Sequence, residues 1–279
     1  MPNPPPDHSP TNRPPPDHPP PVLHAEIRGD GRRVVLAHGF TQTGRVWGSL
    51  DRDLAGDHQV VAVDMPGHGH SSDVATTLVD GALLLGRTGG PAGYVGYSMG
   101  ARFCLHLALA CPRVVDSLVL ISGTAGIDDV EERRARRASD AALADQLDPG
   151  PSGGPAVSVE AFLKQWMNNP LFAGVGPQTD GFEERRRNTG PGLASSLRLA
   201  GTGSQLPLWP KLGRLDMPTL VVCGEADAKF TELGRRMVAA IGPNATLAVV
   251  AGTGHAPHLQ RPEAVADLVR SHLHRGAPD

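Results

Sequence analysis

A serine in a tight, glycine-flanked turn is the clearest sign of chemistry in this sequence. Ser98 lies in the segment 94–102 (YVGYSMGAR), with Gly96 and Gly100 two residues away on either side. A turn of this kind between a strand and a helix exposes the serine hydroxyl at the edge of a sheet and beside a helix N-terminus. The pattern indicates a nucleophile elbow, although such a short motif in a chain with 34 glycines needs supporting context.

Two later segments could supply the partners that this serine needs. Residues 224–227 (GEAD) follow one apolar, strand-like run, and residues 252–255 (GTGH) follow another. Ser98, Asp227 and His255 therefore occur in the chain order serine, acid, histidine, each just after a predicted strand. The carboxyl ends of parallel strands meet at one edge of a sheet, so we expect a catalytic triad there.

The roles within this triad follow from the acid–base properties of the side chains. A neutral imidazole at His255 would take the proton of Ser98, while Asp227 would fix its tautomer and stabilise the imidazolium. Glu225 and His258 are the neighbouring alternatives for the acid and the base. The Gly-x-Gly-His pattern after a strand favours His255 as the base.

An oxyanion hole needs backbone N–H groups that point to where negative charge develops. The N–H of Met99, the residue after the serine, is one candidate. The other should come from the loop after the early strand, where residues 38–40 (HGF) make the N–H of Phe40 the best choice. We expect His38 to support this loop rather than to react.

Metal and cofactor sites are not expected from the sequence. His68 and His70 lie in the glycine-rich loop 64–71 (DMPGHGHS), which supplies no further ligands nearby, so we interpret them as structural turn residues. The three cysteines form no metal-type pair and are interpreted as buried thiols.

The net charge and the distribution of apolar residues argue against nucleic-acid and membrane partners. The net charge of −3 gives no general attraction to nucleic acid or to an anionic membrane. No apolar run approaches the length of a membrane span, and the N-terminus has no apolar signal-peptide core, so we expect a cytoplasmic location.

Residues 1–22 contain PPPDH twice and are predicted to form a disordered, proline-rich tail, with a ligand for a partner protein as the alternative. The oligomeric state is left open.

Strand-like and helix-like segments alternate along most of the chain. Apolar runs predict strands at 24–28, 33–37, 60–63, 118–121, 219–223 and 246–250, and before Ser98. Helices are predicted near 47–50, at 75–85, from Ser98 to Pro112, at 232–241 and from Pro262. This alternation is typical of an α/β fold with a mainly parallel sheet. Between 123 and 215 strand-like runs disappear, which predicts a helical lid (123–215) inserted into a core formed by 23–122 and 216–279.

The whole chain after the tail resembles the 2-succinyl-6-hydroxy-2,4-cyclohexadiene-1-carboxylate (SHCHC) synthases of menaquinone biosynthesis, which have the α/β-hydrolase fold. The generic motifs are HGF (38–40), DMPGHGHS (64–71), GYSMGAR (96–102), GEADAKF (224–230) and GHAPHL (254–259). More specific ones lie in the predicted lid: ERRARR (132–137) with Asp140, QWMNNPLF (165–172), LASSLRLAGTGSQ (193–205) and LW (208–209). Ala101 stands where the family usually has glycine, and the proline-rich tail is foreign to the pattern.

The resemblance implies a lyase rather than a hydrolase. Such an enzyme eliminates pyruvate from 2-succinyl-5-enolpyruvyl-6-hydroxy-3-cyclohexene-1-carboxylate, a small molecule with several carboxylates, without a metal or organic cofactor. Ser98, activated by His255, would remove a ring proton alpha to a carbonyl. The resemblance also implies that Arg136 and Arg185 bind the substrate and that Trp166 and Tyr97 shape the pocket. Solvent-exposed helix faces are the alternative for the two lid arginines.

Arg102 lies one helical turn after Ser98, near enough to reach the same pocket. A substrate with carboxylates favours guanidinium groups, which bind them bidentately and stay charged. The main rival function is a serine esterase or a carbon–carbon bond hydrolase of the same fold, for which a mostly apolar lid would be expected instead of this arginine-rich one. A non-catalytic protein that retains the fold is a further alternative, but no triad member is missing.

Overall fold

The computed structural model describes residues 22–275 except 152, 177, 178 and 180. The proline-rich tail predicted for 1–22 lies outside the described residues, apart from Val22. The strands are β1 (Ala25–Arg28), β2 (Arg32–Ala37), β3 (His58–Val63), β4 (Ala92–Tyr97), β5 (Val115–Ile121), β6 (Thr219–Gly224) and β7 (Ala245–Val250). The helices are α1 (Leu50–Leu54), α2 (Leu78–Gly89), α3 (Met99–Ala110), α4 (Val130–Leu147), α5 (Val159–Met167), α6 (Phe182–Arg185), α7 (Gly190–Ala200), α8 (Ala228–Ile241), α9 (Pro257–Gln260) and α10 (Pro262–Arg275).

Within the described residues, the strands form one seven-stranded sheet in the order β1-β3-β2-β4-β5-β6-β7. Only the pairing of β1 with β3 is antiparallel, and the other neighbours run parallel. The central strands are apolar almost throughout because helices cover both faces of the sheet. The predicted fold class, an α/β fold with a mainly parallel sheet, is confirmed.

Two hydrophobic clusters fill the space between the sheet and its helices. Buried side chains of α2, α3 and α8 pack on one face, and those of α1, α9 and α10 pack on the other. A third, separate cluster joins α4, α5 and α7, which follow β5 and precede β6. Residues of these helices line the same cavity as Ser98 and Ser122, which directly follow β4 and β5. Helices α4, α5 and α7 lie within residues 123–215 and are called the lid helices below.

Strands β1 and β2 are consecutive in the chain but not paired, because β2 lies between β3 and β4 and leaves β1 only the outer side of β3. Several helix boundaries differ from the sequence-based expectation. The helix predicted at 75–85 is α2, which begins at Leu78, where Thr77 caps it, and ends at Gly89. The helix expected around 47–50 begins only at Leu50, since Gly48 adopts a positive φ of 66° and interrupts it. Helix α8 begins at Ala228 rather than Glu232, because the side chain of Asp227 accepts a hydrogen bond from Phe230 N–H and caps the helix.

No helix in the described ranges is long and apolar enough to cross a lipid bilayer.

Candidate active site

Ser98 occupies a strained turn between β4 and α3. Its backbone has φ 48° and ψ −102°, a conformation that side-chain-bearing residues rarely adopt, and it forms the N-cap of α3. The turn can close because Gly100 has no side chain: a Cβ there would overlap the carbonyl oxygen of Ala37. The hydroxyl of Ser98 is therefore held at the N-terminus of a twelve-residue helix, where negative charge is favoured.

The side chains of Ser98, His255 and Asp227 form a continuous hydrogen-bonded chain. His255 Nε2 lies 3.1 Å from Ser98 Oγ, and His255 Nδ1 lies 2.8 Å from Asp227 Oδ2. In the tautomer with its proton on Nδ1, the buried imidazole donates to the carboxylate and can accept the serine proton on Nε2. The second oxygen of Asp227 accepts the N–H of Phe230 at 3.2 Å, and the Phe230 ring packs edge-on against His255. This arrangement can move a proton from the serine hydroxyl to the histidine.

The two neighbouring alternatives lie elsewhere. Glu225 is exposed, and its carboxylate accepts the N–H of Gly252 at 2.9 Å. His258 is fully buried between the rings of Tyr97 and Trp47, at centroid distances of 4.3 and 5.3 Å. Burial lowers the pKa of His258 to about 3, with smaller contributions from the charges of Arg185 and His255, so this histidine is a neutral core residue near pH 7.

Phe40 and Met99, which carry the two candidate oxyanion-hole donors, line the same cavity as Ser98. Neither the N–H of Phe40 nor that of Met99 has a hydrogen-bond acceptor among the residues that the structure describes. Free backbone donors at this position suit an oxygen that becomes negatively charged during a reaction.

Two buried histidines support the loop that carries Phe40. His38 Nε2 accepts the N–H of Met65 at 2.9 Å, and His68 Nε2 accepts the N–H of Thr41 at 3.2 Å. Burial lowers the pKa of His38 to about 4 and that of His68 to about 3, so both stay neutral and can accept these bonds. His38 and His68 are therefore bracing residues of this loop.

A cavity of about 450 Å³ lies between the sheet edge and the lid. It is lined by nine of the ten residues that the sequence singles out, namely Phe40, Tyr97, Ser98, Met99, Arg102, Arg136, Trp166, Arg185 and His255. Asp227, the tenth, lies behind His255. The structure thus brings together residues from both halves of the core and from the lid.

Arg102 and Arg136 lie next to each other on one side of this cavity. Arg102 is buried and donates to the carbonyl oxygen of Ala200 at 2.8 Å, whereas the half-exposed Arg136 donates through Nε to Asp140 at 2.8 Å. Burial lowers the pKa of Arg102 to about 10, and the neighbouring charge of Arg136 adds to the effect, while Asp140 opposes it. Arg102 therefore stays charged near pH 7 in a site that favours an additional anion.

Arg185 is buried and also lines the cavity. Its guanidinium donates to the hydroxyl of Thr41 at 2.6 Å, and the nearby Asn188 donates to the carbonyl oxygen of Thr41 at 2.7 Å. Thr41 has a positive φ of 68°, so these bonds hold a strained residue one position after Phe40.

Trp166 belongs to an aromatic wall of the cavity. Its ring packs edge-on against Phe40 with centroids 5.1 Å apart, and it stacks on Phe162 at 6.0 Å. Its buried indole Nε1 has no acceptor among the described residues, which leaves an N–H donor for a bound molecule. Tyr97 lies opposite, with its ring 5.6 Å from that of His255, and burial raises the pKa of its hydroxyl well above the usual range.

Ser122 lines the cavity as well, although no sequence motif points to it. It follows β5 directly beside Ser98, shares its positive φ of 48°, and has a buried hydroxyl with no partner among the described residues. A positive φ at a serine cannot be predicted from one sequence, because serine does not favour that conformation. Asp140 is noted in the sequence only as part of the motif with ERRARR (132–137). Its hydrogen bond with Arg136 becomes evident only in the folded helix α4.

The model of the family described as "Alpha/beta hydrolase family" matches residues 34–268. The chain belongs to this family. A Bacillus subtilis protein named as a candidate SHCHC synthase is 32% identical over 86% of this chain and 89% of its own length. An SHCHC synthase of Photorhabdus laumondii is 29% identical over 86% of this chain and 84% of its own length.

A solved structure, MenH from S. aureus, superposes with a TM-score of 0.81 at 28% identity, over 91% of this chain and 98% of that one. These matches confirm two expectations from the sequence motifs. The chain belongs to the alpha/beta hydrolase family, and it is similar to SHCHC synthases. The similarity extends over the lid as well as the core, because each match covers most of both chains.

Proposed function

We propose that this protein is an SHCHC synthase, a lyase that eliminates pyruvate from 2-succinyl-5-enolpyruvyl-6-hydroxy-3-cyclohexene-1-carboxylate. One observation carries the proposal: a hydrogen-bonded Ser98–His255–Asp227 chain opens into a cavity that is also lined by arginines, namely Arg102, Arg136, Arg185 and Arg236. An elimination from a polycarboxylate needs both a base and cationic groups that bind carboxylates. The high similarity to SHCHC synthases supports the same reaction.

In the proposed reaction Ser98 Oγ removes the ring proton alpha to the succinyl carbonyl and passes its own proton to His255 Nε2. The electron pair of the broken C–H bond moves onto the carbonyl oxygen, which the N–H groups of Phe40 and Met99 stabilise. When the carbonyl re-forms, the pair becomes a ring double bond between C2 and C3, the C3=C4 pair shifts to C4–C5, and the C5–O bond breaks. The enolpyruvyl group leaves with the electrons of that bond, takes up the proton held by His255 and becomes pyruvate. Asp227 stabilises the imidazolium form of His255 between these steps.

The arginines bind the carboxylates and hold the ring against the base. Arg102 is already desolvated, so a carboxylate that reaches it forms a charge-assisted hydrogen bond in a medium of low dielectric constant. Arg136 lies beside it, and Trp166 offers its free indole N–H. This chemistry needs no metal or organic cofactor.

We also propose that residues 123–215 act as the lid and residues 23–122 and 216–279 as the core. The separate hydrophobic cluster of the lid helices supports this division. A cytoplasmic location stays a prediction from the sequence.

The second candidate is a serine hydrolase that acts on a carboxylated substrate. The 3.1 Å contact between Ser98 and His255 favours it, since the same geometry activates a serine for attack on an acyl group. In that case Ser98 would form an acyl-enzyme, and water would be needed to release it.

A single assay separates the two functions. The menaquinone intermediate is supplied to the enzyme, pyruvate release is coupled to NADH oxidation by lactate dehydrogenase, and a panel of aryl esters is tested in parallel. Pyruvate release should fall by about 10²- to 10⁴-fold in Ser98→Ala, the usual contribution of a positioned base. The control Ser49→Ala removes a hydroxyl that bonds Asp53 away from the cavity and should retain full activity. Ester turnover without pyruvate release would contradict the lyase.

A further inference from the structure

Three side chains with metal-binding atoms come together beside the first strand, far from the triad in sequence. His24 Nδ1 lies 3.1 Å from Asp64 Oδ2, and His70 Nδ1 lies 3.3 Å from the same oxygen. Their ligand atoms all lie within 4.8 Å of one another, and the two imidazole rings are 4.3 Å apart. His24 directly precedes β1, whereas Asp64 directly follows β3 and His70 lies six residues further along the same loop, in the turn Gly69–Ser71.

These separations suit a small divalent ion. With Zn–N and Zn–O bonds of about 2.0–2.1 Å, two ligand atoms of a tetrahedral site lie about 3.3 Å apart. The two nitrogen–oxygen distances in this cluster already have nearly that value, and all three ligand atoms lie within 4.8 Å of one another. Side-chain rotation of the two exposed histidines can adjust the remaining nitrogen–nitrogen separation to a bound ion.

The carboxylate of Asp64 is held in place before any ion arrives. Its Oδ1 accepts the N–H of Gly44 at 2.8 Å, and its Oδ2 accepts the N–H of His70 at 2.9 Å. Hydrogen bonds of this kind fix the orientation of a ligating carboxylate. The side chains of His24 and His70 are 38% and 53% exposed, whereas that of Asp64 is 7% exposed, so the cluster opens to solvent on the histidine side.

The same contacts also exist without a metal, as hydrogen bonds from two Nδ1–H groups to one carboxylate oxygen. A bound ion would be held by the lone pairs of the two Nδ1 atoms instead, and each neutral ring would then carry its single proton on Nε2. The two possibilities therefore predict different metal affinities for the same geometry. This difference makes the site testable.

We propose that His24, Asp64 and His70 form a binding site for a divalent transition metal of the zinc class, outside the active site. The three side chains supply two nitrogens and one carboxylate oxygen, and water completes the coordination from the exposed side. The ion would link the start of β1 to the Gly69–Ser71 turn, which already contact each other through the hydrogen bond from His24 N–H to Ser71 Oγ. The proposed role is stabilisation of the fold.

The sequence alone could not suggest this set. His70 was interpreted as a turn residue because its own loop lacks further ligands, apart from Asp64 at its start. The missing ligand, His24, is separated from Asp64 by 40 positions and reaches it only because β1 pairs with β3.

The test is a Zn²⁺ titration of the full chain, purified without a polyhistidine tag, by isothermal calorimetry. One ion per chain should bind, and His24→Ala and His70→Ala should each weaken binding by more than about 10-fold, since even outer-shell changes cost 10- to 100-fold. Zn²⁺ should also raise the melting temperature of the unaltered protein but not of these variants. Circular dichroism of the metal-free variants checks that they fold.

Two controls identify binding elsewhere. The double variant His8→Ala/His18→Ala removes the histidines of the proline-rich segment, and His274→Ala alters the second cluster of potential ligands, formed with Asp57 and His58. Both variants should keep the tight site. Unchanged affinity in His24→Ala and His70→Ala, or loss of the tight site in either control, would overturn the proposal.

Discussion

The guanidinium of Arg185 donates a 2.6 Å hydrogen bond to the hydroxyl of Thr41, and this bond connects the lid to the loop that follows β2. Thr41 is strained, and it directly follows Phe40, which lines the cavity. A residue that the family resemblance assigns to substrate binding thus also holds the loop with a candidate oxyanion donor. Together with the bond from Asn188 to the Thr41 carbonyl oxygen, it connects the segment around α6 to this loop.

Removing the Thr41 hydroxyl should therefore reduce the rate although Thr41 does not line the cavity. Thr41→Ala is expected to lower kcat for pyruvate release by about 10- to 100-fold, the value of a hydrogen bond to a charged group. Thr41→Ser keeps the hydroxyl and should retain most of the activity. Equal losses in the two variants would show that the methyl group, not the bond to Arg185, matters.

Arg102 should select for carboxylated substrates. In Arg102→Ala, kcat/KM for the carboxylated intermediate is expected to fall by about 100-fold or more, because a buried charge-assisted contact is lost. Turnover of a neutral aryl ester, if detectable, should change far less. Arg102→Lys should not restore the lost activity, since an ammonium cannot bind a carboxylate bidentately. Equal losses on both substrates would indicate a purely structural role.

Asp227 has two separable functions, one for each carboxylate oxygen. Asp227→Asn removes the charge and disturbs the bond to His255 but keeps an oxygen that can accept the Phe230 N–H. Asp227→Ala removes both contacts. Both variants should lose activity on the order of 10³- to 10⁴-fold, as when the acid of a serine-protease triad is replaced.

The two variants should differ in stability. Loss of the α8 cap in Asp227→Ala is expected to cost about 1 kcal/mol more in the free energy of unfolding than Asp227→Asn. Chemical denaturation of both proteins measures this difference. Equal stabilities would mean that the cap contributes little to α8.

His258 should make the fold sensitive to acid. Its pKa is about 3 in the folded protein and about 6.5 when the chain is unfolded, so between these values only the unfolded state takes up the proton. The free energy of unfolding therefore falls as the pH decreases through this window, by about 1.4 kcal/mol per pH unit for one proton.

In His258→Phe, which keeps an aromatic ring between Tyr97 and Trp47, the decrease between pH 6 and 5 should be smaller by about 1 kcal/mol. Packing changes shift the free energy equally at every pH, so unfolding at pH 7.5 provides the internal control. An unchanged slope would show that His258 does not remain neutral in the folded protein over this range.

The catalytic residues could be predicted because their positions follow from the order of strands and loops along the chain. Ser98, Asp227 and His255 could be proposed because each follows an apolar strand, and parallel strands bring such positions to one edge. The parallel sheet itself could be predicted from the alternation of strands and helices. The lid arginines could be found only through family motifs, since their partners, Asp140 and Thr41, depend on packing between distant segments.

Other features could not be predicted because they depend on tertiary contacts. The place of β1 at the outer edge depends on which sides of β2 and β3 are already occupied. The positive φ angles of Thr41 and Ser122 are imposed by the surrounding structure, because neither residue type favours them. The His24 cluster likewise exists only after β1 has paired with β3.

The packing at Gly100 limits how this enzyme can be engineered. Since any side chain there would overlap the Ala37 carbonyl oxygen, a library randomised at this position should return only glycine among active clones. Trp166 and Arg136, by contrast, lie on lid helices that are not part of the sheet, so substitutions there alter the cavity without deforming the turn at Ser98. New substrate preferences should therefore be sought in the lid, with the turn left as it is.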